Sequence, residues 1–401
     1  MLYAPNHDWG KRASHLGEDL GTRLDRAVKQ ARTFWQRVSE GISVQQLWGQ
    51  FAAEARASYG LYSREVDWEP VEGEPGWKRF WRVSRALFWA MMMKLSPARR
   101  VFFLIALVLV FLALLNLRLF GWPRELYIAL AAGSLLFLLA LELADRVTMK
   151  RDLEIAREIQ EWLVPEHPPE VPGFDVAFAT KPQNTVAGDY FDAFVRPAPA
   201  GHSGSKTLLV AVADVAGKSI PAALLMATFQ ASLHTLMSTS ATLDEIVANL
   251  DQYCRAHSLD GRRFTTAFLA ELDVETREMV YVNAGHNPPI LRRTSGEIER
   301  LEAGGPPFGI PVPIEARFKY HSGRLHLHPG DMLFVFTDGL TEGINEADQE
   351  YGEERLLSIL QNRPAETAAE TLNSVMKDVN AFVGNARQHD DITALVLRVR
   401  I

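Results

Sequence analysis

The stretch Leu208–Met226, LLVAVADVAGKSIPAALLM, decides how the rest of the chain is read. Leu208 to Ala213 is an unbroken apolar run of strand length, and it delivers an acid, Asp214, where the run stops. Gly217 follows in a short turn, and Pro221 stands where a helix begins. Proline is tolerated in a first helical turn because its missing N–H would have no partner there. Asp214 is therefore displayed at a strand end, beside a turn whose backbone can approach a ligand closely. A lone Asp in such a place is by default a turn or capping residue; the sharper reading is a metal ligand. Gly217-Lys218-Ser219 has the ending of a P-loop, G-x-x-x-x-G-K-[ST]. The first glycine of that motif falls on Val212, so the P-loop reading is rejected.

Outward from this stretch the pattern is one of grouped strands and helices. Phe174–Thr180 alternates, and Tyr190–Val195 is a short strand leading into a Pro-, Gly- and Ser-rich loop, RPAPAGHSGSK. Helices are expected at Pro221–Thr239 and Leu243–His257. A hairpin is expected from Phe264–Leu272 and Glu278–Asn283, and short strands at Pro289–Arg293 and Met332–Thr337. Helices near Glu353–Gln361 and Glu366–Phe382 precede a last strand, Ile392–Val399. Strands in runs with helices between the groups predict an α+β layered domain and not a doubly wound sheet.

Before this region the composition differs. Val101–Leu117 and Leu126–Leu141 are uncharged apolar runs. As a helix the first spans ~26 Å against a ~30 Å hydrocarbon core. Flanking apolar residues extend each run if Arg118 snorkels and Glu142 is passed. A transmembrane helical hairpin is expected, in preference to one buried in a soluble core. Lys94, Arg99 and Arg100 precede it and Arg146, Lys150 and Arg151 follow it, which places both flanks on the cytoplasmic side. The start, MLYAPNHDWGKR, has no apolar core of a signal peptide. Residues 1–98 are rich in Trp and Arg, with helices expected at Leu16–Val38 and Val44–Tyr59. Trp77–Met93 reads as an amphipathic helix, lying in the headgroup layer or packed on its neighbours. After the hairpin, Leu153, Ala156, Ile159 and Leu163 form a stripe on a linker helix over 145–165, which Pro165 and Pro168 bring to an end. It reads as a surface helix or as a dimerising one.

The net charge of −7 argues against a general nucleic-acid binder, since neutralising phosphates needs a basic face. The only cysteine, Cys254, excludes an intrachain disulfide and a thiolate zinc cluster. What remains is a set of acids. Asp214 and Asp338 follow apolar strands, Asp189 sits between strands in AGDYF, and Asp390 and Asp391 precede the final strand. Strand ends converging on one sheet edge would bring these carboxylates into one cleft. There they repel, raising their pKa values unless cations neutralise them. An all-oxygen set of this kind suits Mg2+ or Mn2+.

Taken in order, AGDYFD (Ala187–Asp192), DVAGKSIPAALLM (Asp214–Met226), FTTAFLAELD (Phe264–Asp273), AGHNPP (Ala284–Pro289), GDMLFVFTDGLTE (Gly330–Glu342) and DDIT (Asp390–Thr393) resemble the metal-dependent protein serine/threonine phosphatases (PPM). The closer resemblance is to their bacterial SpoIIE/RsbU branch, and it covers about Glu154 to Ile401, including IQEWLVP. The usual GGD reads Ala187-Gly188-Asp189. The resemblance implies a layered α-β-β-α domain over 166–401, two packed β-sheets flanked by helices, after the hairpin of 99–144. It implies that Asp214 and the carbonyl of Val215 bind two Mn2+ or Mg2+ ions with Asp338, Asp390 and, directly or through water, Asp189. Asp391 is expected to support the site. A water activated by the two metals would attack phosphorus in line, with no covalent intermediate. The implied substrate is a phosphorylated STAS-domain anti-anti-sigma-like protein in a partner-switching pathway at the bacterial inner membrane. A homodimer through the linker helix, contact with membrane lipid and no nucleic-acid partner complete the expectation. The alternative is an inactive membrane-tethered scaffold of the same fold. Cys254 and His286 are expected to pack and to order a turn. His389 is expected to cap or stay solvated, and Lys218 to be solvated or to touch phosphate.

Overall fold

The computed structural model describes residues 76–117, 121–197, 206–239, 241–258, 262–302, 304–311, 319–362 and 367–401. The helices expected at Leu16–Val38 and Val44–Tyr59 lie outside them. The chain divides into two compact units, one ending at Ala144 and one running from Asp145 to Ile401.

In the first unit α1 (Gly76–Lys94) is followed at once by α2 (Pro97–Leu114), which has proline in its first turn. Arg100 reaches back from α2. Its Nε donates to the carbonyls of Met92 (3.1 Å) and Leu95 (2.8 Å), and its Nη2 to that of Met93 (2.6 Å). The last carbonyls of α1, which have no helical partners, are thereby satisfied. The next helix, α3 (Arg124–Leu163), is continuous over 40 residues, ~60 Å at 1.5 Å per residue. The second apolar run and the linker helix, which the sequence separates by a change of composition, are thus one helix. No Gly or Pro falls between Ser134 and Val164, and returning charge alone does not end a helix. Ala106 and Ala113 of α2 and Tyr127 and Ala131 of α3 are buried, and Arg99 Nη1 meets Glu142 Oε2 at 3.3 Å. Small residues let helices approach closely. Much of the remaining surface is exposed and apolar, including Val101, Val108, Phe111, Leu136 and Leu139.

The second unit is a sandwich of two antiparallel five-stranded sheets. One runs in the order β1 (Phe174–Lys181), β10 (Ile392–Val399), β9 (Met332–Phe336), β6 (Ile290–Arg292), β7 (Ile298–Arg300). The other runs β2 (Tyr190–Pro197), β3 (Lys206–Val215), β4 (Thr265–Asp273), β5 (Glu278–Ala284), β8 (Gly323–His326). Helices α4 (Ile220–Met237) and α5 (Leu243–Ala256) cover the second sheet. Helices α7 (Glu353–Asn362) and α8 (Ala368–Val383) cover the first, and the short α6 (Asp338–Thr341) follows β9. This is the layered α-β-β-α arrangement of two sheets flanked by helices that the motifs imply.

The period-2 geometry of a strand explains why β3 reads as solid hydrophobic. Leu208, Val210 and Val212 face the other sheet in the central core, while Leu209, Ala211 and Ala213 face α4 and α5. β10 divides the same way, Leu395, Leu397 and Val399 against Ile392, Ala394 and Val396. With both faces covered, the polar half of the usual antiparallel alternation disappears. Capping boxes start α5 (Thr242 with Glu245) and α8 (Thr367 with Glu370). Among the described residues three helices, α2, α3 and α4, are long and apolar enough to cross a membrane by length and composition. The third is otherwise engaged: Ala222, Met226, Phe229, Leu233 and Met237 of α4 are buried in the core over the second sheet.

Candidate active site

β3 does not stop at Ala213 but runs through Val215, with Asp214 paired to Thr266 and Val215 to Thr265 on β4. Asp214 is thus held by the sheet. Alternation puts it on the same face as Val212, toward the other sheet. From that sheet come Asp338, the first residue of α6 directly after β9 and Thr337, and Asp390 and Asp391, directly before β10. Asp189 closes the loop before β2 and is 5% exposed.

The carboxylates are close enough to perturb one another. Burial, followed by the charges of Asp338, Asp390 and Asp391, pushes Asp214 up to about 7, against a hydrogen bond with Asp189 that acts in the other direction. Burial, then the Asp214 charge, holds Asp189 well above the usual carboxylate range. Asp338 is raised by burial and then by Asp390. Glu342, at the end of α6, is raised first by Asp338 and then by burial. Two like charges ~4 Å apart repel by about 4 kcal/mol at an effective dielectric of 20, more than one exposed ion pair (about 0–1 kcal/mol) offsets. The cluster is a negative site short of positive charge.

The loops are stitched across the sandwich. Thr337 Oγ1 donates to Asp189 Oδ2 at 2.9 Å, and Thr393 N donates to Thr337 Oγ1 at 3.0 Å. Both threonines are fully buried. Asp391 accepts from the backbone N–H of Gln183 (2.6 Å) and of Gly188 (2.7 Å), so its carboxylate is occupied in holding the loop that carries Asp189. Gly188 fits a narrow gap: a β-carbon there would sit 3.1 Å from Ala222 Cβ and 3.2 Å from the Val215 carbonyl oxygen. Gln160 of α3 clasps the same loop from outside, donating to Ala187 O at 2.7 Å and accepting from Ala187 N at 2.9 Å. Lys218 Nζ bonds Asp390 Oδ2 at 2.9 Å and also donates to His389 O.

Asp189, Asp214, Asp338 and Asp390 are therefore brought together, with the Val215 carbonyl beside Gly188. As the side chains stand, no three His, Cys, Asp or Glu groups among the described residues are in cation-ligating geometry. The donor chemistry nevertheless fits a hard divalent cation: oxygen only, mutually repelling, and with a single lysine contact. His286 contacts Thr266, the register partner of Asp214. It is 4% exposed, its backbone N–H donates to Asn283 Oδ1 at 2.8 Å and its ring Nδ1 lies 3.1 Å from Thr266 Oγ1. Burial lowers its pKa to about 4. Burial likewise pushes the Cys254 thiol up to about 12, leaving a packing group and not a nucleophile. Sequence reasoning missed Thr337, Thr393, Gln160 and Glu342. The only signal for the threonines was their place beside Asp338 and Asp391, in FTDG and DDIT.

Residues 204–400 match the family described as Stage II sporulation protein E (SpoIIE). Protein IcfG of Synechocystis is 26% identical over 287 residues, 65% of this chain and 43% of its own length. Phosphoserine phosphatase RsbU of Bacillus subtilis is 27% identical over 254 residues, 63% of this chain and 71% of its own length. The chain thus spans less than half of the first of these relatives. The SiaA-PP2C domain of Pseudomonas aeruginosa superposes with a TM-score of 0.52 at 21% identity, over 64% of this chain and 98% of that one, which shows the fold. The sandwich, the acids at its edge and these similarities agree on the PP2C phosphatase fold, with residues 204–400 similar to the SpoIIE family.

Proposed function

We propose that the protein is a membrane-anchored, Mn2+- or Mg2+-dependent phosphatase that hydrolyses phosphoserine or phosphothreonine on a regulatory protein. The observation that carries the reading is that acids from both sheets meet around Asp214, whose carboxyl is pushed up to about 7 by burial and by their charge. Asp214, the Val215 carbonyl, Asp338, Asp390 and Asp189 would hold two cations. When bound, such a pair supplies a nucleophilic water of lowered pKa and neutralises phosphoryl charge. The chain's own part is positional. β3 and β4 fix Asp214, Thr337 orients Asp189 and Asp391 holds the 183–188 loop against the edge. Pre-set geometry of this kind lowers the reorganisation needed for in-line attack.

The similarity to RsbU, a phosphoserine phosphatase, supports a phosphorylated STAS-domain anti-anti-sigma-like protein as substrate. The exposed apolar faces of α2 and α3 support a hairpin at 99–144 in the inner membrane, with residues 1–98, the linker 145–165 and the 166–401 domain cytoplasmic. The exposed Ile155, Ile159 and Trp162 on α3 support pairing of two copies along the linker.

The test uses the full chain in detergent, stripped of metal, with a phosphoserine STAS protein. Phosphate release restored by Mn2+ and lost by more than about 100-fold in Asp214→Asn is expected for removal of a shared ligand. Tight binding of the phosphoprotein without phosphate release in either metal would make the chain a scaffold.

A further inference from the structure

The turn between β3 and α4 has an unusual backbone. Gly217 has φ 123° and Ser219 has φ 62°, so left-handed residues stand on both sides of Lys218. Ser219 is a non-glycine residue at positive φ and makes no side-chain cap for α4. Such a conformation is strained and persists only where the surroundings hold it. Arg263 Nη1 donates to Ala216 O at 3.3 Å and steadies the turn from its other side.

This turn aims Lys218 at the acidic edge. Its Nζ binds Asp390 Oδ2 at 2.9 Å, and its charge partly opposes the upward shifts of Asp338 and Glu342. The other Asp390 oxygen, Oδ1, accepts from the backbone N–H of Asp391 at 3.0 Å. Gln388 Nε2 bonds the Asp390 carbonyl at 2.7 Å and fixes the segment further. Asp390 thus has no idle carboxylate oxygen. Of its two partners one is backbone, immobile without moving β10, and the other is a flexible ammonium, 53% exposed. Beside them lies a cavity of about 140 Å3, lined by Lys181, Lys218, Glu342, His389 and Asp390, into which a displaced lysine can turn.

We propose that Lys218 is a tethered counter-ion for Asp390 that a divalent cation must displace, so that it sets the metal affinity of the site. The inference rests on the metal reading of the proposed function and concerns a residue that is not itself a ligand. An ammonium on a flexible stem suits the task. It neutralises an acid when the metal is absent, and its exposed pair is weak enough to yield.

The experiment is titration of the metal-stripped full chain in detergent with Mn2+ alone, followed by calorimetry or by the loss of free Mn2+ signal in electron paramagnetic resonance. Lys218→Met is expected to tighten Mn2+ binding about fivefold, the factor that corresponds to the upper end of an exposed ion pair. Lys218→Arg keeps the charge and is expected to bind as the parent does. The parent–Met difference is expected to shrink as salt rises, because screening weakens the exposed pair. Unchanged or weaker binding in Lys218→Met overturns the inference while leaving the metal reading intact. Failure of parent and variant alike to bind Mn2+ overturns both. A Lys218→Met chain that loses its fold shows the lysine to be structural and overturns the inference; the melting temperature without metal distinguishes that case.

Discussion

Gln160 and Ala187 share a pair of reciprocal hydrogen bonds, side-chain amide to backbone N–H and carbonyl, at 2.9 and 2.7 Å. The pair ties α3 to the loop that carries Asp189. The side-chain amide donates through Nε2 and accepts through Oε1. Gln160→Ala is expected to loosen that loop, weakening Mn2+ binding and phosphate release about 10-fold, the lower end of the effect of losing a supporting partner at a metal site. Gln160→Glu keeps the acceptor, loses the donor and should fall between. Parallel Mn2+ titrations and phosphate-release rates check this, and equal values for parent and Gln160→Ala would refute it.

The acids make the metal-free protein sensitive to pH. Asp189, Asp214, Asp338 and Asp391 all have folded pKa values above the ordinary carboxylate value of 3.8. A raised carboxylate favours the fold while protonated. That contribution is full below the ordinary value and is lost as pH rises through the folded value, about 7 for Asp214. In chelator, the melting temperature should therefore fall by several degrees between about pH 5 and about pH 8. Mn2+ should reverse the fall, with larger stabilisation at the higher pH, because binding expels protons. Scanning fluorimetry across pH with chelator and with Mn2+ reads both slopes. A melting temperature that rises with pH in chelator would contradict the cluster.

Gly339 marks the tightest approach at the site. A β-carbon there would collide with the Asp391 carbonyl oxygen and lie 3.2 Å from Asp390 Cβ. Gly339→Ala is expected to push the start of α6 away from the segment before β10, separating Asp338 from Asp390. Phosphate release should drop by more than about 100-fold while the melting temperature changes by a few degrees, since a misplacement of about 1 Å already costs that much rate. A variant with parental activity would show that the two segments are not pressed together.

A buried ion pair lies away from the site. Arg196 Nε donates to Glu271 Oε1 at 2.7 Å, and the side chains are only 4% and 2% exposed. Arg196 also donates to the carbonyls of Met237, Thr239 and Ala241, which closes the end of α4. Glu271→Gln leaves an unpaired buried guanidinium and should cost about 3–5 kcal/mol. Replacing both partners by apolar residues should cost less. Denaturant unfolding of the single and double variants decides between them.

The sandwich was legible because burial on both faces writes strands such as β3 and β10 as solid apolar runs, with an acid at one end of each, Asp214 after the β3 run and Asp391 before β10. What was illegible has two physical causes. β7 and β8 are three and four residues long, too short to show a period, and the polar Arg324 and His326 of β8 leave only Leu325 as an apolar signal. The Thr337–Asp189, Gln160–Ala187 and Lys218–Asp390 contacts join residues far apart in the chain, so only the closed sandwich creates them. The continuity of α3 agrees with a helix that leaves the second apolar run and stops before the proline-rich segment. The jump in charge at Asp145 is a change of composition, and nothing there breaks a helical backbone.

β10 lies inside its sheet, between β1 and β9, yet it is the last strand along the sequence. That sheet cannot assemble in order during synthesis, because its first strand must wait for a neighbour made after β9. Asp390 and Asp391 arrive on the same late segment. A chain shortened before Asp390 therefore keeps a gap between β1 and β9 and lacks two of the clustered acids.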